Sequence, residues 1–249
     1  MRSRYPSAST LTYSFGPGPL TPVIKALVIA NVVAFVASLV FPAITRIFGL
    51  QPADMFGHLS LWQPVTYMFL HAGIFHILFN MLALWMFGVE LERMWGSRFF
   101  VKYYFICGVG AAMTTLLLSF VPGSFGAQLY YSNTIGASGA IYGILLAYAL
   151  YFPNRPILLY FIFPIPAKYF VAIMGGISLL SSMNGPGGGI AHTTHLGGLV
   201  AGYLYLKGGR IHLLSEIKYR YLKWRINRMR RKFDVYSGGR ADDVNRRVH

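Results

Sequence analysis

Gly136-Ala137-Ser138-Gly139-Ala140-Ile141-Tyr142-Gly143 opens an apolar run that continues to Phe152. A serine between small residues, where a loop becomes a helix, has the surroundings of an exposed nucleophile. Its neighbours let backbone and substrate approach closely, and a helix N-terminus favours a negative oxygen. The motif alone is a weak signal, because Ser is also an ordinary N-cap. Length makes it more specific. The 15 residues of 138–152 rise about 22 Å as a helix, against a bilayer core of about 30 Å. With its inner end at one membrane surface, this segment leaves Ser138 below the other surface. Residues 122–137 must then dip into the bilayer, where irregular backbone is tolerated only inside protein or beside water. The stretch predicts a hydrated cavity opening outward, with Ser138 at its floor.

The rest of the chain supplies the membrane. Of 249 residues, 55% are hydrophobic and 12% charged, the latter about half the usual share of a soluble domain. Mean hydropathy is +0.50. Six apolar segments stand out, at 22–41, 74–89, 99–121, 138–152, 157–181 and 190–206. No apolar stretch begins before Thr21, so a cleaved signal peptide is not expected. The expected fold is all-α and integral to the membrane: a six-transmembrane-helix bundle with a short, recessed fourth helix. Its parts are an N-terminal cytoplasmic arm (1–20), the six-helix domain (21–206) and a basic cytoplasmic tail (207–249).

Charge orients this plan. Thirteen of the 22 Lys and Arg lie between Lys207 and Arg247, and basic residues stay on the cytoplasmic side. Six spans then put both termini there. Arg93, Arg98 and Lys102 after span two, and Arg155 after span four, also fall inside. The loops after spans three and five carry no charge and fall outside. In the tail, 213–233 reads as an amphipathic basic helix, either docking on anionic lipid or simply anchoring the topology. Charge directly beside a span argues against a nucleic-acid partner.

Scarcity of acids excludes more. Asp and Glu occur only at Asp54, Glu90, Glu92, Glu216, Asp234, Asp242 and Asp243. No run holds the carboxylate pair of an intramembrane aspartyl protease. There is no His-Glu-x-x-His zinc motif, and the midplane carboxylate usual in coupled transporters is missing. The lone Cys107 excludes an intrachain disulfide and multi-cysteine metal sites.

Polar side chains inside spans are costly and mark candidate sites. His76 and Asn80, at i and i+4, share one face near the outer end of span two. Two N–H donors there suit an oxyanion, or serve as glue between helices. His195 lies at a depth comparable to Ser138 and precedes Gly198 and Gly202, spaced for close helix packing. It reads as a base beside Ser138 or as a buried packing histidine. Gly139 and Gly143 of span four are the candidate partners of that glycine pair. His192 with His195 lacks a third ligand, so no metal and no cofactor is expected. Ser178, Ser181, Ser182 and Asn184 look like ordinary interface residues. Together, Ser138, His195, His76 and Asn80 make a nucleophile, a base and two oxyanion donors.

At these residues the sequence resembles the rhomboid intramembrane serine proteases, over roughly 51–207. His76-x-x-x-Asn80 is similar to the family's oxyanion motif, Glu92-x-x-x-Gly96 to its inner-loop Glu and Gly, and Gly136-Ala137-Ser138-Gly139 to its nucleophile motif. Tyr142 matches the tyrosine that stacks on the catalytic histidine. His195 with Gly198 and Gly202 matches the span-six histidine and glycines, and Trp62 and His71 match in spacing. Gln63 stands where many members carry Arg, which puts a salt-bridged outer loop in doubt. The resemblance implies a serine endopeptidase with a Ser138–His195 dyad and an oxyanion hole of His76, Asn80 and the Ser138 backbone N–H. It implies substrates that are transmembrane segments of single-pass proteins, cut near the outer face; the compact six-span plan and the lack of a presequence, together with this analogy, lead us to expect a bacterial inner membrane. The rival reading is a non-catalytic rhomboid-like adaptor that binds client helices.

Overall fold

The computed structural model describes residues 16–159, 163–183, 189–208, 223, 224, 226 and 228. The chain divides into two compact units, Met1–Leu206 and Lys207–His249. In the second unit, the Arg228 guanidinium stands 5.3 Å from the centre of the Trp224 ring. Apart from its four described residues, the amphipathic segment 213–233 lies outside the described residues.

The first unit is mostly helical. In chain order the helices are α1 (Pro22–Val40), the short helices α2 (Ala43–Phe48), α3 (Pro52–Gly57) and α4 (Gln63–Thr66), then α5 (Ile74–Trp95), α6 (Ser97–Leu118), α7 (Ser124–Tyr131) and α8 (Ser138–Tyr151). A hairpin of β1 (Pro156–Leu159) and β2 (Phe163–Pro166) leads to α9 (Ala167–Met183) and α10 (Gly189–Gly208). Among the described residues, α1, α5 and α6 are long and apolar enough to cross a membrane; α8 and α9 are shorter apolar helices. On α1 the side chains of Ile29, Val32, Val33, Val36, Leu39 and Val40 are exposed. An apolar face of that extent needs a covering, and lipid provides it.

Helix α8 is the hub. Nearly every residue from Gly139 to Ala149 is buried, as suits a helix that is apolar all round. Helices α5, α6 and α9 pack on it. Two tyrosine hydroxyls in this core are satisfied by carbonyls: Tyr103 donates to Gly143 O at 2.7 Å and Tyr67 to Gly108 O at 2.7 Å. Buried hydroxyls left unbonded would cost stability.

Two expectations are corrected. The fifth apolar segment does not run as a helix from Ile157. Its first part is the antiparallel hairpin, with Ile157 opposite Ile165 and Pro156 opposite Pro166. Pro164 and Pro166 lack the N–H a helix interior requires, so α9 starts at Ala167. Residues 122–137 are not wholly irregular either, since α7 occupies their middle.

The Glu92 carboxylate holds the N-terminus of α1 to α5. It accepts bonds from Thr21 Oγ1 (2.5 Å), Val23 N (3.1 Å), Ile24 N (3.1 Å) and Ser97 Oγ (2.7 Å). An anion satisfying the orphan N–H groups of a helix start is favoured by hydrogen bonding and by the helix dipole. Glu92→Ala is expected to cost about 2–4 kcal/mol and Glu92→Gln less. Thermal unfolding in detergent checks this, and an unshifted midpoint for Glu92→Ala contradicts it.

Candidate active site

Backbone bonds between loops fix the approach of the chain to Ser138. Leu50 and Thr134 exchange backbone bonds (2.9 and 2.8 Å), and Gly136 N donates to Tyr67 O at 2.9 Å. The chain thus reaches α8 in a fixed extended path. Gly136 has φ +127°, a region open to glycine. A Cβ there would stand 2.9 Å from His76 Nε2 and 3.6 Å from Ser138 Oγ. His76 and Ser138 therefore border one small space that a larger residue would fill. Gln63, buried below the surface, accepts from Gln51 N at 3.0 Å and donates to Ile47 O at 3.4 Å, while Trp62 Nε1 donates to the same carbonyl at 3.0 Å. Neutral bonds join the loop at this position.

Helix α10 presents His195. Thr194 and Thr115 share a hydroxyl bond of 2.7 Å, which ties α10 to α6. A Cβ on Gly198 would collide with the Gly139 carbonyl oxygen. A Cβ on Gly202 would stand 3.2 Å from Gly143 Cα. The two glycine pairs let the α8 and α10 backbones touch, and Ser138 Oγ then meets His195 Nε2 at 2.7 Å. Tyr142, one turn after Ser138, lies parallel to the His195 ring, with centroids 4.3 Å apart and planes 9° apart. His192 meets the same ring edge-on at 5.7 Å. Among the described residues, no group of three His, Cys, Asp or Glu could hold a metal ion.

His76 and Asn80 lie one turn apart near this pair. Ala72 N–H donates to His76 Nδ1 at 3.2 Å, which leaves the proton of a neutral ring on Nε2. His71 packs its ring edge-to-face on His76 at 4.9 Å. Burial pushes the His71 imidazole down to about 4, so at neutral pH it adds no charge beside its neighbour. Asn80 Nδ2 donates to His76 O at 2.7 Å. One of its two amide hydrogens is used there and the other remains free to donate. The Ser138 N–H belongs to the first turn of α8, whose N–H groups have no intrahelical partner.

A cavity of about 450 Å³ between α5, α8 and α9 reaches Ser138. Its polar end is Ser138 and Asn80; Phe79, Met86, Leu145, Phe170 and Met174 are among its apolar walls.

The residues that build this geometry also match a family. The model of the rhomboid domain matches residues 58–209. The chain belongs to the rhomboid family. Rhomboid protein 1, mitochondrial, of Saccharomyces cerevisiae is 33% identical over 142 residues, covering 55% of this chain and 38% of that protein. Rhomboid protease GluP of Bacillus subtilis is 31% identical over 158 residues, covering 63% of this chain and 27% of that protein. Rhomboid protease AarA of Providencia stuartii is 28% identical over 217 residues, covering 79% and 74%. The chain thus spans less than half the length of the first two relatives. Rhomboid membership and the apolar helices make it an integral membrane protein.

One reading of the site residues changes. Ser178 is not an interface residue: it is fully buried, and its hydroxyl donates to Tyr142 Oη at 3.0 Å. Ser182 Oγ donates to Leu179 O within α9, and Asn184 lies outside the described residues. Sequence spacing carries no signal for the Ser178 contact, because a lone helical serine looks the same whether it faces lipid or a tyrosine on another helix.

Proposed function

We propose that this rhomboid is an intramembrane serine endopeptidase with Ser138 as nucleophile and His195 as general base. The 2.7 Å contact between Ser138 Oγ and His195 Nε2, at the polar end of an otherwise apolar cavity, carries the reading. His195 takes the Ser138 proton as Oγ attacks a peptide carbonyl. The oxyanion is held by the Ser138 N–H, His76 Nε2–H and the free amide hydrogen of Asn80. His195 then protonates the leaving amine, and water hydrolyses the acyl-enzyme by the reverse proton path.

A peptide bond within a helix has its carbonyl bonded inside that helix, so the substrate segment must unwind to reach Ser138. Segments with helix-breaking Gly or Pro fit this need. In this reading α1, α5, α6, α8, α9 and α10 are the six spans, α8 is the recessed fourth, and both termini face the cytoplasm of a bacterial inner membrane. Substrates are single-pass proteins cut near the outer face. The basic tail meets anionic lipid.

Asn80→Ala tests the oxyanion assignment. Cleavage of a model transmembrane substrate should slow about 10- to 1000-fold, the scale of one lost donor. An unchanged rate removes Asn80 from the hole.

A further inference from the structure

Among the described residues, no acid orients the proposed base. His195 Nδ1 has no hydrogen-bond partner among the described residues. Its ring is held by the Ser138 contact at one edge and by the Tyr142 face at 4.3 Å. Stacking fixes the tilt of the imidazole plane only as well as Tyr142 itself is fixed. The Tyr142 hydroxyl extends past the stack to α9, where Ser178 Oγ donates to it at 3.0 Å. Ser178 is 0% exposed. A buried hydroxyl is costly without a partner, and its neighbours Ile177, Leu179 and Leu180 are exposed apolar residues. A single polar side chain points inward from this turn of α9, and it meets Tyr142.

The placement on α9 adds a second connection. Phe170 and Met174 line the cavity. With Ser178 they stand at i, i+4 and i+8, on one helical face. The stripe of α9 that walls the cavity is therefore the stripe that anchors Tyr142.

We propose that Ser178 is a positioning residue: it holds the Tyr142 ring, and through that ring it sets the plane of His195 and ties the dyad to α9. Displacing α9 away from α8 would withdraw Ser178 and loosen His195, so alignment of the dyad depends on α9 being seated. The inference rests on the dyad reading above.

The test is a double-mutant cycle with a fluorogenic transmembrane substrate in proteoliposomes, using the full chain. Ser178→Ala and Tyr142→Phe should each lower kcat about 5- to 20-fold with KM within about twofold, since both leave the stacked ring and the cavity walls in place. The double variant should lose no more than the larger single. An unchanged kcat in Ser178→Ala overturns the inference, as do losses that multiply in the double or that fall on KM alone. Ser138→Ala, run beside them, separates two failures. Cleavage surviving in Ser138→Ala rejects the protease reading itself. Ser138-dependent cleavage that ignores Ser178→Ala rejects only the positioning role.

Discussion

Ser138→Ala is expected to abolish cleavage of a transmembrane substrate, by at least about a thousandfold, while expression and thermal midpoint stay near wild type. The side chain is half-buried at the start of α8, and among the described residues its side-chain hydrogen bond is to His195 Nε2. Removing the hydroxyl leaves no cavity of consequence and no orphaned helix cap, because the N-cap is Ala137. His195→Ala should fall to the same level, and the double variant no lower, since nucleophile and base act as one unit. Persistent full activity in Ser138→Ala would sink the dyad. Normal membrane insertion with a silent substrate is the outcome that separates a protease from the adaptor reading, in which client binding would survive both changes.

Gly198→Ala is expected to have the second largest effect. Here the neighbour of the missing Cβ is the Gly139 backbone carbonyl, which cannot rotate away. One added methyl must push α10 from α8 at the turn that carries Ser138. Displacement on the order of 1 Å at a reacting pair costs about a hundredfold in rate, and overpacking of this kind costs about 1–3 kcal/mol in stability. Loss of cleavage and a lowered melting midpoint should therefore appear together. Gly176→Ala is the control: nothing lies within 4 Å of a Cβ there, and Ala is the better helix former. It should leave cleavage and stability unchanged or slightly improve stability. Equal behaviour of the two variants would refute the close α8–α10 contact as the element that sets the dyad distance.

Much of the site is legible in the sequence, because polar residues are few and each must be accounted for. Ser138, His195, His76 and Asn80 stand out against apolar spans, and the Gly139/Gly143 and Gly198/Gly202 spacings name the surfaces that meet. What escapes is whatever depends on tertiary partners. The run from Ile157 to Pro166 is apolar enough for either helix or strand, and its prolines decide for a hairpin. Glu92 reads as one acid at a span end. That it caps α1 depends on residues 68 to 71 positions earlier. Ser178 is invisible until α9 is packed on α8 with a tyrosine facing it. Helix α7 is a short break in a segment whose neighbours, Gly123 and Ser132, read equally as loop.

The most direct measurement is covalent mapping with a serine-directed fluorophosphonate. Membranes holding the full chain are labelled, digested and analysed for the modified peptide. The adduct should sit on Ser138, and it should disappear in His195→Ala while that variant remains folded by its melting midpoint. Labelling at another serine, or a Ser138 adduct that forms equally fast without His195, would contradict a nucleophile activated by that histidine.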